Sequence, residues 1–406
     1  MITNFIEFKN PSRVYIPLTD KEYKLANVKV QVNDSVLQGQ VLAYKFKGRV
    51  KYPVISSVSG TVVEFKEMMD RYGKIVDHCV IQNDMEYRQV ELKKYEHPTA
   101  AQIRTALYEV GLDTMSVDGS YTPLDFEHYN VNHVFVNAIF VNEPQYTIEY
   151  FFLQDNANKI SEGVGFIAKA ALTENITVFI DKNMPQEVME QIGVACADKA
   201  VNFIPVDPTN VNGKALKHIH KTLGSKPGNN LLASGGMYID CEVCKTVYDV
   251  VAEGIVPSQR LVVLSGDGIK SNAVIQTVSG TLLSDMIEFV NGYNDVDEMV
   301  CHIGDFLTGQ QVTTDEIAVT LTVNAVNFSE YDEEEEDVCI KCGDCNDVCP
   351  VGILPQNIMD AELRSVNDRI VELNTDECIE CGLCTYVCPS KINVLEWVRR
   401  ARRRVG

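Results

Sequence analysis

Apolar and polar residues alternate along the first quarter of the chain, which predicts a small all-β domain. Between residues 25 and 90, Val28, Val30 and Val32 begin a series of apolar positions two residues apart. Asparagine, aspartate and glycine residues divide the series into short strands. We therefore expect residues 1–97 to form one β domain.

The pattern changes after residue 98, where apolar runs of strand length alternate with helical periodicity. This alternation predicts an α/β domain with a mostly parallel sheet over residues 98–257. Short apolar runs follow and predict a compact β-grasp-like domain over 258–330. Within the α/β domain we expect strands at 131–141, 175–180 and 202–205 and helices at 157–172 and 186–200.

A possible dinucleotide fingerprint, Gly163-x-Gly165 with Ala168, lies inside a predicted helix and before a strand. That order is wrong for the strand-to-helix turn of a dinucleotide site, so we reject this interpretation.

Charge and composition exclude some classes of function. The 406 residues include 36 lysines and arginines against 57 aspartates and glutamates, a net charge of −21 that disfavours nucleic acid as a partner. No apolar run is long enough for a spanning helix, and no signal sequence begins the chain. We expect a cytoplasmic protein, with peripheral association at the inner face of a membrane as an alternative. Its 13 cysteines then indicate metal ligands or redox groups.

Eight of these cysteines form two runs of identical spacing, C-x2-C-x2-C-x3-C-P, in residues 331–406. This spacing is typical of ferredoxins with two [4Fe–4S] clusters, in which the fourth cysteine of each run binds the cluster of the other. Paired zinc sites are the alternative, although zinc does not require the third cysteine step. The crossed pattern assigns Cys339, Cys342, Cys345 and Cys388 to one cluster and Cys349, Cys378, Cys381 and Cys384 to the other.

Charged segments flank the cysteine runs. The acidic run 332–337 is either a solvated linker or a docking segment for a basic partner. A predicted helix over 392–405 carries five arginines within residues 399–404. They interact either with a membrane surface or acidic partner, or with their own helix dipole.

The succession of modules resembles a known family. Residues 33–40 and 54–62 resemble the barrel-sandwich hybrid of biotinyl and lipoyl carriers, without a lysine at the hairpin tip. The whole order resembles the C subunit of the Rnf electron-transport complex. That family combines a barrel-sandwich hybrid, a domain like the 51-kDa subunit of complex I, a soluble-ligand-binding β-grasp and a dicluster ferredoxin. Glu143, Pro144 and Thr147 match a Glu-Pro-x-x-Thr stretch of the family.

The resemblance implies FMN and NADH as cofactors, but this chain departs from the family where they bind. The family has a glycine-rich G-x-G-G-A-x-F-P-T stretch, whereas residues 111–123 retain few glycines and include Leu112, Asp113 and Asp118. A phosphate cradle needs unobstructed backbone N–H groups, and carboxylates repel phosphate. The sequence therefore argues against FMN and NADH binding.

A second departure lies where the family has an Asn-x-x-Thr or Asn-x-x-Ala strand-to-helix turn. Here Cys241 and Cys244 form a C-x-x-C pair followed by Lys245. A helix N-terminus and a lysine lower a thiol pKa, so a catalytic redox dithiol is our preferred interpretation. An additional metal site and a structural pair are the alternatives. This departure resembles the Rnf-C-like electron-transfer proteins associated with amino-acid reductases, such as proline reductase.

We predict an iron–sulfur protein that relays electrons through two [4Fe–4S] clusters to or from a second redox centre, the Cys241/Cys244 dithiol. One alternative is an FMN-dependent NADH oxidoreductase, either the Rnf subunit or a cobalamin reductase. Another is a non-enzymatic scaffold of a reductase complex. The expected partners are redox proteins, either an amino-acid reductase or other Rnf subunits.

Overall fold

The computed structural model describes most of the chain. Within these ranges, no helix combines the length and apolar character needed to cross a membrane. Glu143, Pro144, Thr147 and Asp118 lie outside the described residues, as does most of the acidic run 332–337. The described ranges are 5–20, 23–47, 50–115, 121–123, 126, 129–138, 148–206, 211–295, 299–304, 309–330 and 336–405.

Two small antiparallel sheets pack face to face in the first domain. Val14, Leu42, Val62 and Ile81 point into the space between them and are fully buried, as the alternating pattern predicts. The strands are β2 (Arg13–Pro17), β3 (Leu25–Val28), β4 (Ser35–Val36), β5 (Val41–Lys47), β6 (Val50–Ile55), β7 (Gly60–Met69) and β8 (Ile75–Asn83). The sheet orders are β2-β8-β7-β4 and β3-β5-β6.

A four-stranded parallel sheet with helices against it forms the second domain, as predicted. Its long helix begins at residue 148, earlier than the predicted 157. The elements are α1 (Ala100–Glu109), β9 (Asp113–Met115), β10 (Tyr121–Pro123), β11 (His133–Ala138), α2 (Ile148–Ala171), β12 (Ile176–Asp181), α3 (Gln186–Ala195), β13 (Val201–Val206), α4 (Val211–Leu223), β14 (Gly236–Asp240), α5 (Cys241–Tyr248) and a π turn, Asp249–Glu253. The parallel sheet has the order β13-β12-β11-β14, and β9 and β10 form a hairpin.

A mixed six-stranded sheet and one helix form the third unit. Its sheet includes β1 (Phe5–Phe8), which lies in the first predicted domain by sequence but pairs in parallel with a strand that begins at residue 273. The other elements are β15 (Gln259–Ser265), β16 (Ala273–Val278), α6 (Leu283–Phe289), β17 (Met299–Ile303), β18 (Gln310–Val312) and β19 (Ala325–Glu330). The order is β1-β16-β15-β19-β17-β18.

Short helices surround the two cysteine runs in the last domain. Two helices, Pro355–Leu363 and Asn367–Glu372, lie between the runs. The elements are α7 (Asp344–Asp347), α8 (Pro355–Leu363), α9 (Asn367–Glu372), a 3-10 turn at Thr375–Glu377, α10 (Leu383–Tyr386) and α11 (Val394–Val405).

Candidate metal centre

Each cysteine run forms a loop of the same backbone shape. Lys341 and Gly343 in the first loop have φ angles of 58° and 91°, and Glu380 and Gly382 in the second have 55° and 77°. These left-handed residues turn the chain sharply after the first and second cysteines. The one-turn helices α7 and α10 then carry the third cysteine of each run. The repeated spacing therefore corresponds to a repeated structure.

Four of the predicted ligands lie around a single cavity. The cavity has a volume of about 20 Å³, and Cys349, Cys378, Cys381 and Cys384 are among its lining residues. One of these cysteines comes from the first run and three come from the second. This grouping is the crossed arrangement expected of two adjacent [4Fe–4S] clusters.

Three of the four remaining predicted ligands meet at a second apolar cluster of the domain. Cys345 is buried in an apolar cluster, and Cys339 and Cys388 pack against it. Cys342, the fourth predicted member, is exposed. Cys384 of the second run packs against the same cluster, so the assignment of Cys388 to this set stays a prediction.

The donor set suits an iron–sulfur cube better than a single ion. Among the described residues, no three or more His, Cys, Asp or Glu side chains have the spacing for one metal ion. A cube takes one thiolate at each of four corners, so its ligands lie farther apart than the four around zinc. The four cysteines that line the cavity are the number that one cube requires.

Burial makes several of these thiols hard to ionise without a cation. It raises the pKa of Cys378 and of Cys384 to about 12 each, and it also raises the pKa of Cys345. Iron supplies the positive charge that a thiolate needs in such a place. The backbone N–H of Glu380 donates to Cys378 Sγ at 3.4 Å, which also favours a charged sulfur.

All five arginines of α11 pair with carboxylates of the same chain. Glu380, in the second cysteine loop, accepts from Arg399 Nε at 2.8 Å and from Arg402 Nη1 at 3.3 Å. Both predicted alternatives, an external surface and the helix's own dipole, overlooked these internal partners. The other pairs are Arg400 and Arg403 with Glu396, and Arg404 with the buried Glu362.

The second cysteine loop is docked on the α/β domain. Ile379 packs against an apolar cluster of that domain that contains Phe135 and Phe179. Lys226 Nζ lies 3.5 Å from the carboxylate of Asp376, just before the loop. The cavity lined by Cys349, Cys378, Cys381 and Cys384 therefore lies on the inner side of the domain, and we call these four the inner set. Cys339, Cys342, Cys345 and Cys388 form the outer set.

The C-x-x-C pair lies at a helix N-terminus, as predicted, but inside the core. Asp240 caps α5 by accepting from the Val243 N–H at 2.8 Å, and both Cys241 and Cys244 are buried. Burial raises the pKa of Cys244 well above its usual value, and the charge of Asp240 raises it further. This is opposite to the electrostatics that activate a dithiol.

The lysine that was expected to activate the pair has another partner. Lys245 pairs with Asp249, four residues later, at the start of the π turn that follows α5. Of the three interpretations of the pair, these surroundings favour the structural one.

A buried arginine that no sequence motif indicates lies beside the start of α5. Arg260, buried on β15, pairs with Asp240 at 2.9 Å through Nη2 and with Glu242 at 2.9 Å through Nη1. Glu242 also accepts from the Leu261 N–H at 2.9 Å, and burial raises its pKa to about 7. The only signal in the sequence is a single arginine just before an apolar run.

Comparisons with known proteins agree with this architecture. Residues 3–86 match the model of the RnfC barrel sandwich hybrid domain, and residues 326–392 match that of the 4Fe-4S dicluster domain. The chain is 25% identical over 362 residues to the C subunit of the ion-translocating oxidoreductase complex of Erwinia tasmaniensis. That alignment covers 86% of this chain but 44% of the relative, so the chain spans less than half of its length.

Two further relatives are covered more completely. The protein of the same name from Rhodobacter capsulatus is 24% identical, with 85% of this chain and 69% of the relative aligned. The C subunit of the proton-translocating ferredoxin:NAD(+) oxidoreductase complex of Clostridium ljungdahlii is 26% identical, with 85% and 77% aligned.

Among solved structures, an NAD+-reducing [NiFe]-hydrogenase in the H2-reduced state is similar at 12% identity and a TM-score of 0.46. That match covers 79% of this chain and 69% of the hydrogenase chain. Such a score is too low to support a functional argument. Two domain matches, together with similarity to the named subunits along most of the chain, support a relationship of this chain to the C subunits of the Rnf complex.

Proposed function

We propose that this chain is an electron-transfer subunit that holds two [4Fe–4S] clusters and relays electrons between an external redox protein and its own α/β domain. The observation that carries the proposal is the inner set, in which Cys349 of one run and three cysteines of the other line one cavity. When bound, a [4Fe–4S] cluster supplies one-electron transfer at a potential that its surroundings set.

The chain's own residues supply binding, insulation and charge. Ile353, Leu395 and Val398 belong to the apolar cluster that contains Cys378, so water is excluded on that side. Arg399 and Arg402 offset the charge of Glu380 beside the inner set. Exclusion of water and nearby cations are both known to tune cluster potentials.

A flavin is not part of the proposal. In parallel sheets, ligands bind where the strand order reverses, which here is between the carboxyl ends of β11 and β14. Asp240 ends β14, Glu242 follows it on α5, and Arg260 pairs with both carboxylates. These carboxylates disfavour a phosphate there. Residues 116–120 of the altered glycine-rich stretch lie outside the described residues.

A more specific version of the proposal adds a second redox centre at Cys241 and Cys244. Burial of both thiols argues against that centre. The scaffold alternative would require the clusters to be redox-inert. An FMN-dependent NADH oxidoreductase would require bound flavin. Each alternative therefore gives a distinct result in one experiment.

The names of the relatives suggest the partners. They are subunits of ion-translocating oxidoreductase complexes, and we propose that this chain assembles with corresponding subunits. None of the three relatives described above is named for an amino-acid reductase, so that association stays a prediction.

The test is anaerobic purification followed by quantitation of iron, sulfide and flavin, and then EPR after dithionite or NADH. We expect about eight iron and eight sulfide per chain and no flavin, with clusters reduced by dithionite but not by NADH. Cys384→Ala should lose about half of the iron, whereas Cys196→Ser, at a half-buried cysteine outside the domain, should lose none. Unchanged iron in Cys384→Ala, or stoichiometric FMN, would contradict the proposal.

A further inference from the structure

The two ligand sets differ sharply in what surrounds them. The loop of the inner set is covered by the α/β domain through Ile379 and Gly228. The first loop, which carries three cysteines of the outer set, is exposed at residues 336–338 and 340–342. The α/β domain therefore covers the second cysteine loop, while the first is open to another protein.

Two large apolar side chains are exposed on this open side. Val338 is 80% exposed and Ile340 is 67% exposed, and they stand on either side of Cys339. Neighbouring exposed apolar groups are costly in water and are typical of a binding surface. We call Val338 and Ile340 the outer patch.

The charges beside the outer patch are mainly negative. Glu336, Asp337, Asp344 and Asp347 are exposed in and after the first loop, and the exposed cations nearby are Lys341 and Lys391. The whole chain carries a net charge of −21. Complementary potentials steer redox partners into productive encounters, so a partner for this surface should present positive charge.

The geometry points to the outer patch as the docking surface for a one-electron redox protein with an apolar contact area and a rim of lysine and arginine. This inference rests on the proposed function. The exchange is the transfer of one electron from the reduced centre of one protein to the oxidised centre of the other, with no bond formed or broken. The docked partner would lie next to the outer set, and the inner set would face the α/β domain.

A second exposed apolar group in the same domain provides a matched control. Leu363 and Val371, on α8 and α9, are 58% and 60% exposed, and they lie in the insertion between the cysteine runs. A double change of Val338 and Ile340 to serine therefore has a counterpart of similar exposure, Leu363→Ser with Val371→Ser. Neither double variant changes the charge of the chain.

The experiment uses the oxidised full-length holoprotein and cytochrome c, a basic haem protein, as the probe. Isothermal titration calorimetry at low ionic strength gives Kd, and iron content verifies that each variant retains its clusters. We expect Val338→Ser with Ile340→Ser to raise Kd about 10-fold or more, and the control variant to change it less than about 2-fold. Added salt should raise Kd for the wild type.

Several outcomes would overturn the inference. One is that both double variants weaken binding of cytochrome c equally, or that the control variant alone weakens it. Others are that neither variant changes Kd, or that the wild-type protein does not bind cytochrome c. A chain that lacks iron and sulfide would instead overturn the proposed function, whatever its affinity for cytochrome c. The electron-transfer rate to cytochrome c should follow the same order as the affinities.

Discussion

Arg402 donates a hydrogen bond from Nη2 to the backbone carbonyl oxygen of Gly228, 3.0 Å away. The bond joins the last helix of the cysteine-rich domain to the loop between α4 and β14. Gly228 has a φ of +84°, and a Cβ atom there would come within 2.1 Å of the Asp376 carbonyl oxygen. The two domains therefore meet backbone to backbone, which fixes the second cysteine loop against the α/β sheet.

The close approach at Gly228 predicts that Gly228→Ala loosens the domain contact. Gly224 in the same loop also has a positive φ, +62°, but a Cβ there meets nothing within 4 Å. Gly224→Ala should cost about 1 kcal/mol of unfolding free energy from backbone strain alone, and Gly228→Ala clearly more. Thermal unfolding and limited proteolysis measure the difference. Equal costs would mean that the contact contributes little to stability.

The crossed ligand sets predict which cysteine variants share a phenotype. Cys349→Ala and Cys381→Ala should perturb the same cluster, because both thiols line the same cavity. Cys388→Ala should perturb the other one together with Cys342→Ala. EPR of the reduced variants separates the two clusters by the signals that remain. If Cys349→Ala instead matches Cys342→Ala, each run binds its own cluster and the crossing is wrong.

Burial of Cys241 and Cys244 predicts that both thiols resist iodoacetamide in the native protein. Half-buried Cys196 serves as the internal reference, and mass spectrometry after brief exposure measures the labelling. Cys241→Ser should keep both clusters and full electron transfer. Rapid labelling of the pair, or loss of transfer in this variant, would restore the dithiol as a second redox centre.

Buried His78 predicts a loss of stability in mild acid. Burial lowers its pKa below the ordinary 6.5, against the opposing effects of a hydrogen bond to Val76 and the charge of Asp70. Below about pH 6.5 the unfolded chain therefore binds a proton that the folded chain does not. The stabilisation is complete above that pH and is lost as the pH falls.

His78→Asn should reduce this acid sensitivity. Between about pH 7.5 and 5.5, Tm should fall about 2–4 °C less in this variant than in the wild type. His97→Asn, at an exposed histidine, is the control and should leave the pH dependence unchanged. Identical slopes in all three proteins would show that His78 does not couple folding to protonation.

Local features of the sequence predict local structure well in this protein. Three cysteines within seven residues constrain one loop, and both loops have the expected form. The rejected fingerprint also has a structural explanation. A Cβ at Gly163 would come within 1.8 Å of the Cys244 carbonyl oxygen, so this glycine lets α2 pack closely against α5.

Contacts between distant residues are the part that the sequence does not reveal. The residues next to Arg260 in the sequence give no sign that it forms ion pairs. Its two partners are carboxylates about twenty positions earlier. In the sequence, the arginines of α11 look like an unpaired basic surface. In the structure they pair with Glu362, Glu380 and Glu396. Burial of the Cys241 pair likewise depends on α2 and the sheet, which the C-x-x-C spacing cannot indicate.

The parallel pairing of β1 with β16 has a consequence for folding during synthesis. Phe5 pairs opposite Val274, so β1 cannot join its sheet until the ribosome has made the whole of the first two domains and the start of the third unit. Until then Phe5 and Phe8 have no partner strand, although the intervening domains are already able to collapse. Contacts so far apart in sequence slow folding because they close a long loop. The third unit is therefore expected to complete its fold late. A substitution in β1 is expected to lower the stability of that unit and not of the neighbouring β domain.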